Sequence, residues 1–312
     1  MTNKASFLVI GGANCDVTGK ALSVSSQDAQ SHIGQITTSF GGVARNIAET
    51  LGRLDQNTRL ITAIGDDAQS KQMIDELSSL SINCELSLIA TDAKADSYMA
   101  IHDEAGNLMA AINDMPLINL LDADFIKQHQ TAISGADRVV IDANLSPAAI
   151  KVICQSLTDA QLAADAVSLR KASKLKPYLS QLYLLKVTTQ EAQQLCADDE
   201  TSTHDQLLDN LHAAGVDLIL LSAGSEGFTL SSSTKRVSRK PKTDSDIVTS
   251  SGAGDGLFAG VLYGLSQHYD LEMIATIAER VATSALISSK AVNPSLHKDM
   301  IDPLYNSPSP SR

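Results

Sequence analysis

No uninterrupted apolar stretch in the 312-residue sequence reaches about 18 residues, so nothing in it reads as a membrane-spanning helix. Basic residues are few: 24 Lys and Arg stand against 36 Asp and Glu, a formal net charge of -12. That balance argues against nucleic acid or an anionic membrane as the main partner. It leaves phosphorylated ligands open, because local cradles of N–H groups and magnesium ions override global charge. Only four cysteines occur, Cys15, Cys84, Cys154 and Cys196. With no CxxC pair among them, neither a zinc site nor a disulfide framework is suggested, and the four read as reduced structural thiols. The seven histidines are dispersed, with no pair at helical metal-binding spacing, and read as ordinary surface or core residues. The GxSxG elbow of serine hydrolases and the GxxxxGK[ST] phosphate loop are missing, as are internal repeats. Met1-Thr2-Asn3-Lys4 runs straight into a strand-like segment without a basic start and apolar leader, so a cytoplasmic protein is expected.

The most informative stretch is residues 249–265, TSSGAGDGLFAGVLYGL. Leu257, Phe258, Val261, Leu262 and Leu265 recur as one apolar helix face requires. Gly252, Ala253 and Gly254 therefore stand at the mouth of a helix with almost no side-chain bulk. Bare N–H groups and the positive end of the helix dipole make such a mouth an anion site. Asp255 in the first turn reads equally as a helix cap. Beside an anion cradle, it also reads as a base for a hydroxyl nucleophile, which is what phosphoryl transfer requires.

Taken in order, the chain alternates buried strands with helices, which predicts a mostly parallel sheet covered on both faces. Phe7–Ile10 is a strand ending in Gly11-Gly12-Ala13-Asn14-Cys15-Asp16, read as a tight turn with Asn14 and Asp16 at its tip; an Asx turn is the plainer alternative. Residues 18–39 read as polar extended chain. Gly41 and Gly42 open a second helix that carries Asn46 one turn in. Arg59–Ile64 reads as one strand ending at Gly65-Asp66-Asp67. Residues 85–113 contain two strand-like runs around the turn 103–107 and, with 18–39, predict a small β subdomain serving as a lid over a site. Strands are also expected at 138–141, 161–167, 182–187 and 218–221, the last leading into the small-residue turn Ser222–Gly227. Thr188 and Glu191 suit a capping box with no function at all. Residues 229–248 read as a hairpin or edge region, and 273–286 as a long helix. Residues 1–305 form one expected domain, with a disordered Ser/Pro tail at 306–312.

In this order, the pieces resemble the ribokinase-like (PfkB) carbohydrate kinase family along nearly the whole chain. Two signatures about 200 residues apart carry the likeness: Gly41-Gly42 with Asn46, leading to Ala63-Ile64-Gly65-Asp66-Asp67, and Gly252-Ala253-Gly254-Asp255. Several short strings, among them Gly12–Asp16, Gly41–Glu49, Ala111–Met115 and Asp142–Ser146, are similar to the pseudouridine-phosphorylating members.

The resemblance implies a doubly wound α/β enzyme with a β lid that moves phosphate from magnesium-ATP to the 5′-hydroxyl of a nucleoside or sugar. It implies that Asp255 is the base and that the N–H groups of Gly252, Ala253 and Gly254 hold the charge of the transferring phosphate. Asp16, Gly41, Gly42 and Asn46 are implied as sugar-hydroxyl ligands. Asn14 and Asn144 would line the same pocket, and Ser97 and Asn113 would reach it from the lid. Lys186, Thr188, Ser222, Gly224 and Gly227 are implied on the nucleotide side, with Asn293 near the adenine. Glu191 matches the acid of the family's Asn-x-x-Glu motif, which organises magnesium through water. A homodimer joined through lid strands is implied by the same analogy.

The chain departs from the family at three points. Val187-Thr188 replaces the Pro-Asn that opens Asn-x-x-Glu, keeping a hydroxyl but losing an amide. Thr249 stands where many relatives carry the Asp of a monovalent-cation site, which leaves potassium activation open. Asp165-Ala166-Val167 lacks the usual Pro. Two rivals remain: a ribokinase or other nucleoside kinase, and a nucleoside- or sugar-binding sensor without catalysis.

Overall fold

A computed structural model describes residues 5–22, 32–196, 202–240 and 247–301. The expected tail at 306–312 and part of the 18–39 excursion lie outside the described residues. From the N-terminal side come β1 (Ser6–Ile10), β2 (Asn14–Ala21), β3 (Gly34–Gly41), α1 (Val43–Arg53), β4 (Asn57–Ile61), β5 (Ala63–Gly65) and α2 (Ala68–Ser79). Next are β6 (Leu88–Ala90), β7 (Ser97–His102), β8 (Leu108–Asp114), α3 (Ala123–Gln128), α4 (Gln130–Ser134), β9 (Arg138–Asp142) and α5 (Pro147–Ser156). Then follow β10 (Gln161–Asp165), α6 (Leu169–Ala172), β11 (Leu182–Thr188), α7 (Thr189–Cys196), α8 (His204–Ala213) and β12 (Leu218–Ser222). The last are β13 (Phe228–Ser232), β14 (Arg236–Arg239), α9 (Ala253–Ser266), α10 (Leu271–Leu286) and α11 (Lys298–Ile301).

An eight-stranded sheet in the order β14-β13-β12-β11-β10-β9-β1-β4 forms the body. It is parallel from β4 to β12, and antiparallel at β13 and β14. Alternation along β1 explains why its apolar run is continuous. Phe7 and Val9 pack on one face with Ile47, Phe258 and Ile277, while Leu8 and Ile10 pack on the other with Ile150 and Leu207. Helices therefore cover both faces, as the strand–helix alternation predicts. Strands β4 and β9 flank β1 on opposite sides, so the connections diverge there and open a crevice beyond the carboxyl ends of the strands. Among the described residues, no helix is long and apolar enough to cross a membrane.

Four strands, in the order β3-β2-β7-β8, make a separate small sheet. Asp96 binds its crossings to one another. The Asp96 carboxylate accepts from Leu117 N (2.9 Å) and Ile118 N (3.2 Å), and its carbonyl accepts from Cys15 N (2.7 Å).

Two local expectations are corrected. Asn14 and Asp16 are not at the tip of a turn. Pairing of Asn14 with Gly41 and of Cys15 with Ser97 draws them into β2. The expected strand 59–64 is broken at Thr62, whose N–H goes to Ser87 Oγ at 3.2 Å. Residues Ala63–Gly65 then leave the main sheet and pair with β6.

Candidate active site

Two buried carboxyl groups and one buried ammonium meet at the strand ends, and a third, partly open carboxyl faces them from a helix start. Asp142 ends β9, and its Oδ2 accepts from Gly12 N at 2.8 Å and Ala44 N at 3.1 Å, while Oδ1 accepts from Asn144 N at 2.9 Å. One side chain thus ties the end of β1 to the start of α1 and the end of β9. Burial pushes the Asp142 carboxyl above its ordinary pKa; the N–H donors from Gly12 and Asn144 oppose this, and Asp165 adds to it. Gly42 lets α1 start here. Its φ is +96°, and a Cβ would lie 2.5 Å from Gly12 O.

Asp165 ends β10 and pairs with Lys186 of β11 at 3.0 Å. It also accepts from Val167 N at 2.7 Å, holding Val167 at φ +66°, a left-handed conformation that strains a β-branched residue. Burial works against the charge on Lys186, but Asp165, Asp255 and Glu191 more than reverse this, and its pKa is raised.

The N-terminus of α9 points into the same space. Gly252 is its N-cap, at φ +77°, and a Cβ there would come within 2.0 Å of Ala291 O. The first helical bond is Gly256 N to Gly252 O, so the amides ahead of it head the helix outside its ladder. Ala253 N reaches Ser250 O at 3.4 Å. Asp255 lies in this first turn, and its Oδ2 accepts from Asn46 Nδ2 at 2.8 Å across 209 positions of sequence. Asp255 keeps part of its surface open, yet protein crowds it closely. Burial first and Asp165 next raise its pKa from 3.8 to about 7; Lys186 and the Asn46 bond oppose them, and Asp142 adds to them.

Asp142 thus links Gly12 to Ala44, next to Gly42, and to Asn144; Asn46 links α1 to Asp255, and Gly41 lies against Asp16. Asn14 Nδ2 donates to Asp16 Oδ1 at 2.6 Å, and burial raises the Asp16 pKa. Lys171 Nζ donates to Asn144 Oδ1. Lys186, expected on the nucleotide side, lies beneath the helix mouth, close to Gly254.

Ser97 does not join the group. Paired residues on adjacent strands share a face, so Asp16, Tyr98 and Asn113 form one row, while Ser97 shares the opposite face with Cys15 and Phe40. Its Oγ turns back to Ala95 O at 3.0 Å. Both ends of the Asn293 amide are used in closing the loop after α10, on Ser284 O and Ser295 N. Thr188 and Glu191 form the capping box, through Thr188 N to Glu191 Oε2 (2.8 Å) and Glu191 N to Thr188 Oγ1 (3.3 Å). Ser222 Oγ meets Val187 O at 3.3 Å, and Gly224 and Gly227 shape the turn after β12 with positive φ. Asp142 and Asp165 were not singled out from sequence. The signal for both is an acid closing a run of buried apolar strand residues.

A family model described as pfkB family carbohydrate kinase matches residues 4–299. The chain belongs to this family. It is 29% identical over 263 residues to a pseudouridine kinase of Escherichia coli, covering 84% of each chain. It is 26% identical over 291 residues to a guanosine-inosine kinase of Exiguobacterium acetylicum, covering 90% of this chain and 94% of the relative. A ribokinase II from E. coli, solved in complex with ATP and magnesium, superposes with a TM-score of 0.82 at 14% identity, over 96% of this chain and 98% of the other. The fold is therefore ribokinase-like, and the protein is a carbohydrate or nucleoside kinase of the pfkB family.

The site suits a nucleotide with its metal. Glycine at 252 lets the Ala291 carbonyl pass close against the helix start, and the leading amides of α9, outside the helix ladder, suit an anion. Among the described residues, no three His, Cys, Asp or Glu side chains gather into a metal cage, and magnesium carried on phosphates and water needs none.

The raised pKa of Asp255 has a testable consequence. Its carboxyl is favoured in the neutral form by folding, so the stability it contributes is present below the unfolded value of 3.8 and lost as pH rises through about 7. Asp255→Asn is expected to unfold at higher denaturant concentration than the wild type at about pH 8, by on the order of 1–3 kcal/mol, with the difference vanishing near pH 4. Urea titrations at the two pH values check this; a gap independent of pH counts against it.

Proposed function

We propose that this chain is a cytoplasmic pseudouridine kinase, transferring the γ-phosphate of ATP to the 5′-hydroxyl of pseudouridine. The observation that carries the reading is Asp255: a carboxyl with a pKa near 7, at the mouth of a helix whose leading amides face the same space, held by Asn46. As the 5′-oxygen forms its bond to phosphorus, its proton passes to Asp255 and the bond to the departing ADP breaks. The leading amides of α9 hold charge on the transferring group, and Lys186 adds a fixed positive charge beneath them. Magnesium, when bound, neutralises phosphate charge. Glu191, with Oε2 committed to the Thr188 amide, is its water-mediated partner in this reading. Asp16, Asn14 and Asn113 line the polar face of the small sheet and orient the sugar and base, with that sheet closing as a lid. The choice of pseudouridine draws on the E. coli relative and on the short strings around Asn14, Asn46, Asn113 and Asn144.

A coupled ADP-release assay with magnesium-ATP tests this, comparing pseudouridine, uridine, inosine and ribose with and without potassium, since Thr249 offers a hydroxyl where relatives carry a carboxylate. Selective turnover of pseudouridine is expected, with Asp255→Asn folding but losing roughly 10²–10⁴-fold in kcat. Preference for inosine or ribose sinks the substrate assignment while keeping the chemistry. Ligand binding without any ADP release favours a sensor.

We also propose that the chain pairs with a second copy through the outer face of the small sheet. That face presents Ile36 (78% exposed), Ile112 (65%), Met99 and Ile101 (44% each) to solvent, an apolar exposure that isologous pairing would cover. Sedimentation is expected to give a dimer that Ile36→Lys/Ile112→Lys dissociates; a monomeric wild type refutes it.

A further inference from the structure

We propose that Arg45 is a positioning residue: its guanidinium locks the Asn46 amide so that the N–H side faces the Asp255 carboxylate. The inference rests on the reading of Asp255 as base and extends it to the group that sets how basic it is.

An asparagine amide has an acceptor at one end and donors at the other. Arg45 Nη1 donates to Asn46 Oδ1 at 3.1 Å, which fixes the acceptor end toward arginine and leaves Nδ2 for Asp255 Oδ2 at 2.8 Å. The guanidinium is itself held. Nη1 also donates to Phe40 O at 3.0 Å, Nη2 pairs with Glu49 Oε2, and the backbone N–H of Arg45 donates to Gly12 O at 3.2 Å. Arg53 braces Glu49 from the next turn at 2.8 Å. Successive residues on a helix do not ordinarily face one another, so the Arg45–Asn46 contact requires the arginine to fold along its own helix.

Stability alone is a poor account of this arrangement. Arg45 is 5% exposed, and its Nε finds no partner among the described residues. A buried guanidinium with an unmet N–H is costly, and an apolar side chain of similar length would fill the space. What an apolar residue would not supply is a donor for Asn46 Oδ1. Without one, the amide is free to turn its oxygen toward Asp255 and weaken the ionised form of the base.

The charged groups around the two ends are few. Glu49 and Arg53 of α1, Glu76 of α2 and Asp16 of β2 face Arg45. Lys186 of β11, Asp165 at the end of β10 and Asp142 at the end of β9 face Asp255. None of these contacts Asn46 Oδ1 in place of Arg45, so the effect of removing the guanidinium should be read through the amide.

The test is the pH dependence of kcat/KM for the nucleoside or sugar the enzyme turns over, in Arg45→Met, Arg45→Lys, Asn46→Ala and Arg45→Met/Asn46→Ala. Arg45→Met is expected to move the acidic limb upward by about one pH unit, the worth of one charge-assisted hydrogen bond, with kcat about tenfold lower. Arg45→Lys keeps a donor and should restore most of both. In the Asn46→Ala background, Arg45→Met should shift the limb no further, since the two act as one unit. An unmoved limb in Arg45→Met, or an equal shift with and without Asn46, overturns the proposal. Selective ¹⁵N-arginine labelling of the wild type gives a reading independent of any variant: the Arg45 side-chain resonance should titrate with the midpoint of the activity profile, and a resonance flat across that range also overturns it. Turnover that survives Asp255→Asn would instead remove the base assignment, a failure distinct from either.

Discussion

Negative charge is crowded into a space from which most water is excluded, and the site is organised around that crowding. Asp165 and Asp255 share one buried ammonium, Lys186, and Asp142 adds its charge beside them. Each acid is met by a different kind of donor. Asp142 takes three backbone N–H groups, Asp165 takes the lysine and a strained turn, and the one hydrogen bond to the Asp255 carboxylate among the described residues comes from the Asn46 amide. The least compensated of the three is the one at the helix mouth, where a carboxyl that readily accepts a proton is useful. The same crowding would repel a nucleotide's phosphates if the N-terminus of α9 did not offer amides and a favourable dipole at that point.

The elements that carry this arrangement were legible in the sequence to unequal degrees. The helix opening at Gly252, with Asp255 in its first turn, follows from composition and period alone. So does the alternation that gives a parallel sheet. The two strands of the 97–114 hairpin were readable because Asp103-Gly106-Asn107 punctuates them. What local patterns lack is the lateral order of strands. Asp142 reads as an ordinary polar residue after a strand until β9 is known to lie beside β1, which brings its carboxylate to Gly12 and Ala44. Asn14 and Asp16 look like a turn because Gly11 and Gly12 precede them; only the presence of β3 and β7 on either side makes them a strand. Ser97 was assigned to the pocket by family position, and period-two alternation with the register of Cys15 puts it on the far face.

The small sheet is two-sided in its chemistry. Asn14, Asp16, Thr18, Thr37, Ser39 and Asn113 share one face, while Val17, Ile36, Met99, Ile101 and Ile112 share the other. This division holds only while the pairing keeps its register, since a one-residue slip would exchange the faces. Asp96 guards that register, because its carboxylate and carbonyl fix where β2, β7 and the exit from β8 begin.

The Asn46–Asp255 bond also has a consequence for how the protein comes into being. Asp255 and the amide that steadies it are made far apart in time, since ribosomes add residues at roughly 5–20 per second. Until α9 has emerged and docked against α1, the early half of the chain holds an amide with no carboxyl to receive it. Contacts of such long sequence separation form late and slowly. The pair is therefore assembled only when these two distant parts of the chain have met, and an incompletely folded molecule lacks it.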